Sequence, residues 1–103
     1  MKIGKAIKLC RTRAGLSQLE LAKKSKVSQG YIANIEKNNL TPTQKVLIRI
    51  ADALRIPPVV LTFLATEPSD IKKSKKKLYT SLKPVLEGLI ENILNEVYGQ
   101  PTN

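Results

Sequence analysis

The chain has 103 residues, which is enough for one small domain with an appendage and too few for two full hydrophobic cores. Its 18 Lys and Arg residues against 8 Asp and Glu residues give a formal net charge of +10, which favours anionic partners such as nucleic acid or anionic lipid. Because the chain has no His and a single Cys, Ser/His or Cys/His catalysis and metal sites built from His and Cys ligands are excluded, and we expect a non-enzymatic protein without a metal or a cofactor.

The charge is distributed unevenly along the chain. Residues 1–66 carry 12 basic and 3 acidic side chains, whereas residues 84–103 carry three Glu and no Lys or Arg. Lys residues interrupt the apolar residues at the N-terminus, so no signal peptide is predicted, and no apolar run approaches the roughly 20 residues of a membrane span. Cys10 has no second Cys to pair with, which suits a reducing compartment. We therefore expect a cytoplasmic protein whose anion-binding part lies in residues 1–66.

The first two predicted helices have clear boundaries. Apolar residues recur at helical spacing over residues 3–14, and Gly15 can adopt the left-handed conformation that ends a helix. Ser17 and Glu20 form an S-x-x-E capping box, in which each side chain accepts a hydrogen bond from the backbone of the other residue. The second helix is therefore predicted to begin after Ser17 and to end near Ser25.

A third helix is predicted immediately after the second. Ser28 can cap it, and Ile32 and Ile35 give it one apolar side. Only Lys26 and its neighbours remain for the turn between the two helices. A turn this short makes the second helix project from the first, as in units that place their second helix in the major groove of DNA.

Two further helices complete the predicted domain. Thr41 or Thr43 can cap the fourth helix, which extends through Leu54, and Pro57-Pro58 ends it and can start a fifth helix over residues 59–65. No alternating β pattern is present. The predicted fold class is therefore all-α, with five short helices around one small core and a C-terminal amphipathic helical extension.

Residues 67–103 are predicted to form a linker and this helical extension. A lysine-rich segment, residues 72–77, precedes a wide stripe of Leu, Ile and Val at helical spacing. Pro84 is compatible with two arrangements. It lies either in the first turn of a helix that starts near Ser81, or at a kink within a longer helix that starts near Ser69.

Residues 18–37 resemble the helix-turn-helix of the lambdoid phage repressor and Cro class, the Xre family of bacterial and phage regulators. The stretch from Ser28 to Asn38, SQGYIANIEKN, is close to the usual recognition-helix sequence of that family. Lys26 stands where the family usually has a turn glycine, and Asn38 stands where a helix-ending Gly is common. The resemblance covers about residues 3–66, and the buried positions of the family are matched by Leu21, Ala22, Val27, Ile32 and Ile35.

The resemblance implies a sequence-specific transcriptional regulator, in particular a repressor, that binds a palindromic operator in double-stranded DNA as a dimer. The recognition helix, about residues 28–38, would lie in the major groove, where Gln and Asn amides can pair bidentately with adenine. The implied base-contacting residues are Gln29, Gly30, Ala33 and Asn34. The implied phosphate-contacting residues are Gln18, Tyr31, Lys37, Asn38, Thr41, Thr43 and Lys45.

Two of the implied roles concern side chains that do not read bases. Arg11 and Glu36 resemble an ion pair that, in the phage repressors, joins the first helix to the end of the recognition helix. For Tyr31, packing on its own helix is as good an interpretation as phosphate contact.

Three roles are open for the C-terminal helix. Homodimerisation is favoured because relatives bind palindromic sites as two-fold dimers; the helix could instead pack on its own domain or dock a different protein, as in antitoxin-like relatives. The lysines at 72–77 are either a solvated surface or extra phosphate ligands that steepen the salt dependence of binding. The residues assigned to dimerisation are Leu82, Leu86, Leu89, Ile93 and Val97.

Two other functional classes compete with the DNA-binding hypothesis. In the first, the chain is a protein-interaction module whose scaffold serves a partner. In the second, residues 72–97 bind a membrane surface as a basic amphipathic helix. The membrane hypothesis is the weaker of the two, because the lysines and the leucine stripe occupy separate segments, and we expect no membrane partner.

Overall fold

A computed structural model describes residues 1–100, and every regular element in this range is helical, which confirms the predicted all-α fold class. In residues 1–100, none of the helices combines the length and the apolarity that crossing a membrane requires. Two 3-10 turns, Pro68–Asp70 and Lys73–Lys75, precede the last helix. The six α-helices are α1 (Ile3–Arg13), α2 (Gln18–Ser25), α3 (Gln29–Glu36), α4 (Gln44–Ala53), α5 (Pro58–Ala65) and α6 (Lys76–Tyr98).

The boundaries of α1 to α5 follow the local signals of the sequence. The predicted capping box is present in α2, where the Glu20 amide donates to Ser17 Oγ at 3.0 Å and the Ser17 amide donates to Glu20 Oε1 at 2.9 Å. Of the two threonines that can cap α4, Thr43 is the one that does, since its Oγ1 accepts from the Val46 amide at 3.2 Å. These caps satisfy backbone N–H groups that would otherwise lack a partner.

One apolar core holds the helices together. Helix α1 packs against α3 and α5, and α2 packs against α3 and α4. Cys10 is fully buried within this core, and its burial raises the pKa of the thiol to about 11. The largest fully buried side chains are Ile7, Leu21, Ile32, Ile35, Ile50, Leu54, Leu61 and Leu94.

Helix α6 starts at neither of the two predicted positions. It begins at Lys76, so Pro84 lies in the helix interior and not in a first turn at Ser81. Proline lacks the N–H that would bond the carbonyl four residues earlier, at Thr80, and Thr80 is exposed to water. The lysine-rich segment before Leu78 forms the second 3-10 turn and the first residues of α6.

The second half of α6 packs on the rest of the domain. Ile90 and Leu94 are buried in the core, and the Tyr98 hydroxyl donates to the carbonyl oxygen of Leu54. Arg13 Nη2 donates to Asn95 Oδ1 at 2.8 Å, which ties the end of α1 to the same part of α6. Packing on its own domain, one of the three predicted roles of this helix, therefore holds for its second half.

This packing divides the residues that were assigned to dimerisation. Ile93 and Val97 are half-buried against the chain's own core, and Leu86 is half-buried as well. Leu82 and Leu89 are exposed. Of the residues assigned to dimerisation, Leu82 and Leu89 are therefore the ones most available to a second copy of the chain. Ile93 and Val97 already pack on the chain's own core.

At Gly4, the start of α1 lies directly against the backbone at the end of α3. A Cβ atom built at Gly4 would lie 2.1 Å from the carbonyl oxygen of Ile35 and 3.0 Å from Asn38 Oδ1. Only glycine allows the start of α1 to lie this close to the backbone at the end of α3. The contact fixes the position of α3 relative to α1.

We expect Gly4→Ala to lower the free energy of unfolding by about 1–3 kcal/mol, since the new methyl group must push α1 and α3 apart. The matched control is Gly88→Ala in α6, where the added Cβ would meet no atom within 4 Å apart from the neighbouring backbone of its own helix. This control should raise stability by up to about 1 kcal/mol, because alanine is the better helix former. Urea unfolding followed by circular dichroism measures both changes, and a Gly4→Ala variant as stable as the wild type would contradict the close contact.

Candidate nucleic-acid interface

In the turn between α2 and α3, Lys26 stands where the family usually has a glycine, and its backbone is left-handed. Lys26 has φ 59° and ψ 41°, and the amide of Val27 donates to the carbonyl oxygen of Ala22 at 3.0 Å. A side chain other than that of glycine costs about 1 kcal/mol in this conformation. The turn nevertheless occupies only Lys26 and Val27, so that α3 begins after its cap Ser28.

Arg49 of α4 stabilises this turn, and the sequence analysis did not identify it. Its Nε donates to the carbonyl oxygen of Ser25 at 3.1 Å, and its Nη2 donates to that of Lys26. Carbonyl groups at a helix C-terminus have no partner within the helix and carry partial negative charge, so a guanidinium is a favourable partner there. Nothing in the sequence pattern pairs Arg49 with a turn 23 residues away.

Helix α3 has one buried and one exposed side. Ile32 and Ile35 are fully buried, and the Ser28 hydroxyl caps the helix by accepting from the Tyr31 amide at 3.1 Å. The opposite side presents the four residues predicted to contact bases. Of these, Ala33 is half-buried, and the three exposed residues are Gln29, Gly30 and Asn34.

Tyr31 lies at the border between the two sides of α3. It is half-buried and packs against the core. Packing is therefore one of its roles, and contact of its hydroxyl with a phosphate stays a prediction.

The candidate phosphate ligands that follow α3 lie in or beside one loop. Asn38 ends the helix in the left-handed conformation, with φ 62°. Thr43 Oγ1 accepts from the Val46 amide, which leaves its own hydroxyl hydrogen free to donate. All five of these residues are exposed: Lys37, Asn38, Thr41, Thr43 and Lys45.

The predicted pair of Arg11 and Glu36 is present and is bidentate. Arg11 Nε lies 2.7 Å from Glu36 Oε2, and Arg11 Nη2 donates to Glu36 Oε1 at 2.9 Å. The side chains are 11% and 4% exposed, so both charges are largely removed from water. Hydrogen bonding to Glu36 raises the pKa of Arg11, whose Nη1 also donates to the carbonyl oxygen of Leu16.

Gln18 joins the same pair. Its Nε2 donates to Glu36 Oε1 at 3.1 Å, so side chains from α1, α2 and α3 meet at one carboxylate. One amide hydrogen of Gln18 is thereby committed to Glu36. A contact between Gln18 and phosphate would use the second amide hydrogen or the backbone N–H groups at the start of α2.

The chemistry of this surface suits nucleic acid. Its exposed groups are amides, hydroxyls and ammonium groups, which can bond to base edges and phosphates. Within residues 1–100, no three His, Cys, Asp or Glu side chains lie close enough together to hold a metal ion.

We expect Glu36→Ala to lower the free energy of unfolding by about 3 kcal/mol, because it leaves the buried guanidinium of Arg11 without its counter-charge. The control is Glu91→Ala, which removes an exposed pair with Arg13 at 3.4 Å. That loss should be below about 1 kcal/mol, because water screens the pair. Thermal and urea unfolding measure both effects, and equal losses in the two variants would mean that the buried pair has no special role.

Comparisons with known proteins place this surface in context. A family model described as helix-turn-helix matches residues 7–61, which is more than half of the chain. An immunity repressor protein of Bacillus phage phi105 is 38% identical over 56 residues, which are 54% of this chain and 39% of that protein. The chain thus spans well under half the length of this curated relative.

Two crystal structures share the fold. The wild-type restriction-modification controller protein C.Esp1396I matches with a TM-score of 0.58 and 34% identity, over 62% of this chain and 84% of that one. The clp gene regulator ClgR from Corynebacterium glutamicum matches with a TM-score of 0.58 over 96% of this chain and 93% of its own, and at 21% identity it supports the fold alone. Taken with the family model, the controller protein's identity over most of its length shows that the chain belongs to the Xre-type helix-turn-helix family of non-enzymatic, DNA-binding transcriptional regulators.

Proposed function

We propose that the protein is a transcriptional repressor that binds a palindromic operator in double-stranded DNA as a homodimer, with α3 in the major groove. The observation that carries the proposal is the exposed side of α3. It presents Gln29, Gly30 and Asn34 to solvent, while the buried side and both ends of the helix are fixed by the domain.

Gln29 and Asn34 supply the hydrogen bonds to bases in this proposal. Each side-chain amide has a donor beside an acceptor, which matches the N6 and N7 atoms of adenine. Gly30 and Ala33 have no polar side chain, and they contribute close approach or contact with a thymine methyl group. With so few reading side chains, part of the specificity is expected to come from the shape of the DNA between the half-sites.

The loop after α3 supplies the phosphate contacts. Lys37 and Lys45 are exposed on either side of the exposed hydroxyls of Thr41 and Thr43. Such contacts fix the register of the protein on the duplex without reading its sequence, and they make binding sensitive to salt.

A dimer is required because one module of this size makes few base contacts. Two copies related by a two-fold axis read two half-sites whose centres lie about 34 Å apart, one turn of B-DNA. The repressor role is supported by the name of the phage relative, which describes an immunity repressor.

Selection of bound duplexes from a random DNA pool at near-physiological salt tests this function. The wild type should enrich a palindromic motif with half-sites one helical turn apart. Gln29→Ala/Asn34→Ala should lose the motif, because each bidentate contact contributes about 1–3 kcal/mol of discrimination between bases. Gln100→Ala, which removes an exposed amide outside α3, is the control and should enrich the wild-type motif.

Two results would contradict the proposal. Enrichment that is sensitive to salt and blind to sequence would show that the basic charge binds DNA while α3 reads nothing. An unchanged motif in the double variant would show that the reading residues lie elsewhere.

A further inference from the structure

Helix α6 and Lys75, the residue just before it, carry a second line of side chains, separate from the side that packs on the domain. Residues on this line follow each other at alternating intervals of three and four, which is the a/d spacing of a coiled coil. All of them are exposed in this structure. We call this line the α6 seam, and it consists of Lys75, Leu78, Leu82, Val85, Leu89, Asn92 and Glu96.

The centre of the seam is apolar and uncovered. Leu78, Leu82, Val85 and Leu89 are 56%, 45%, 61% and 55% exposed. Single exposed apolar side chains are common on protein surfaces, but four in one continuous line along three turns of helix form a patch of the kind that marks an interaction site.

We propose that the α6 seam pairs with the α6 seam of a second copy of this chain, with the two helices antiparallel. In this pairing, Leu78 lies against Leu89 of the second copy, and Leu82 lies against Val85. The proposal rests on the proposed function only for the expectation of a dimer; the surface, the direction and the register come from α6 itself.

The order of the seam residues determines the register. Reversing one helix brings all four apolar side chains of each copy opposite apolar side chains of the other. The same register places Lys75 opposite Asn92 of the second copy, about one helical turn from its Glu96. Sliding the helices by one heptad would instead place Leu82 opposite Asn92 and Leu78 opposite Glu96.

The charges of α6 determine the direction. Its three lysines, Lys76, Lys77 and Lys83, lie in its first eight residues, and its three glutamates all follow Pro84. Parallel helices would bring Lys75 against Lys75 and Glu96 against Glu96. Antiparallel helices bring the basic end of each copy to the acidic end of the other, which lowers the electrostatic energy of the pair.

A second copy fits this surface better than a lipid membrane does. Residues 72–97 carry six lysines, but all three glutamates follow Pro84, so the second half of α6 is acidic and an anionic bilayer would repel it. The seam also matches a second seam that runs in the opposite direction, with apolar residues facing apolar residues. A two-fold interface between identical chains requires this self-complementarity.

Disulfide cross-linking of the full chain tests the direction and the register. The native thiol does not interfere, because Cys10 is fully buried. In antiparallel pairing, two Leu78→Cys copies hold their new thiols about 16 Å apart along the helices, far beyond the roughly 7 Å between Cα atoms that a disulfide spans. The same separation applies to two Leu89→Cys copies.

We therefore expect each variant alone to form no disulfide dimer under mild oxidation, and an equimolar mixture of Leu78→Cys and Leu89→Cys to form the mixed dimer. Cross-linking of either variant with itself would overturn the antiparallel direction. The absence of a cross-link in the mixture would overturn the register.

Sedimentation of the full chain tests the surface independently. Leu82→Glu should weaken self-association by at least tenfold, because it places a charge in the apolar centre of the seam. Val59→Glu is the control, since Val59 is 69% exposed on α5 and lies off the seam. A Leu82→Glu variant that dimerises as well as the control, or a wild type that is monomeric and binds vesicles of phosphatidylcholine and phosphatidylserine, would overturn the proposal.

Failure of this inference and failure of the proposed function are distinguishable. A palindromic motif from DNA selection without α6 cross-linking would leave the repressor function and assign the dimer to another surface. The mixed cross-link without any enriched motif would leave the α6 pairing and remove the DNA-reading role.

Discussion

The arrangement of the DNA-facing surface depends on one buried carboxylate. Glu36 closes α3 and is bonded by Arg11 of α1 and by Gln18 of α2, so the three helices around the surface share one fixed point. A largely buried ion pair adds little net stability, because both charges lose their water. The pair instead selects one arrangement of the helices. Any other packing that separated Glu36 from Arg11 would bury an unpaired charge, and such packings are strongly disfavoured.

Two other contacts complete this arrangement, and both act on backbone groups. The start of α1 lies against the carbonyl oxygen of Ile35, and only a glycine at position 4 leaves room for this contact. The end of α3 is therefore held by direct packing against Gly4 as well as by the hydrogen bonds of Glu36. At the start of α3, Arg49 binds the carbonyl groups of the strained turn that contains Lys26. The end of α3 and the turn before its start are therefore held by contacts that involve neither Gln29 nor Asn34.

Local signals in the sequence account for the parts of this fold that were predicted. Ser17, Ser28 and Thr43 cap helices because the cap involves residues three apart, and Gly15 and Asn38 end helices for similarly local reasons. The pair of Arg11 and Glu36 followed from the family resemblance. The base-reading and phosphate-binding roles of the other residues stay predictions, although the predicted base-reading residues share one side of α3.

The features that the sequence did not predict depend on contacts between distant segments. No property of Gly4 or Arg49 in the sequence indicates which carbonyl group it will face. The start of α6 was missed because Lys75 offers no side-chain cap and the preceding residues form a 3-10 turn. The apolar stripe of α6 was also too wide to show which of its residues pack on the domain, since Leu89 and Ile90 are neighbours in sequence but only Ile90 is buried.

In the proposed dimer, the packing of α6 on its own domain sets the distance between the two copies of α3. The second half of the helix is attached to the domain through Ile90, Leu94 and Tyr98, and α1, against which it packs, is joined to α3 at Gly4 and Glu36. In the proposed dimer, the path from the α6 seam to the exposed side of α3 therefore consists of packed helices, with no flexible linker in between. A rigid path of this kind gives the two copies of α3 one preferred separation, and a palindrome with a different half-site spacing would have to be bent or twisted to fit, at a cost set by the stiffness of its sequence.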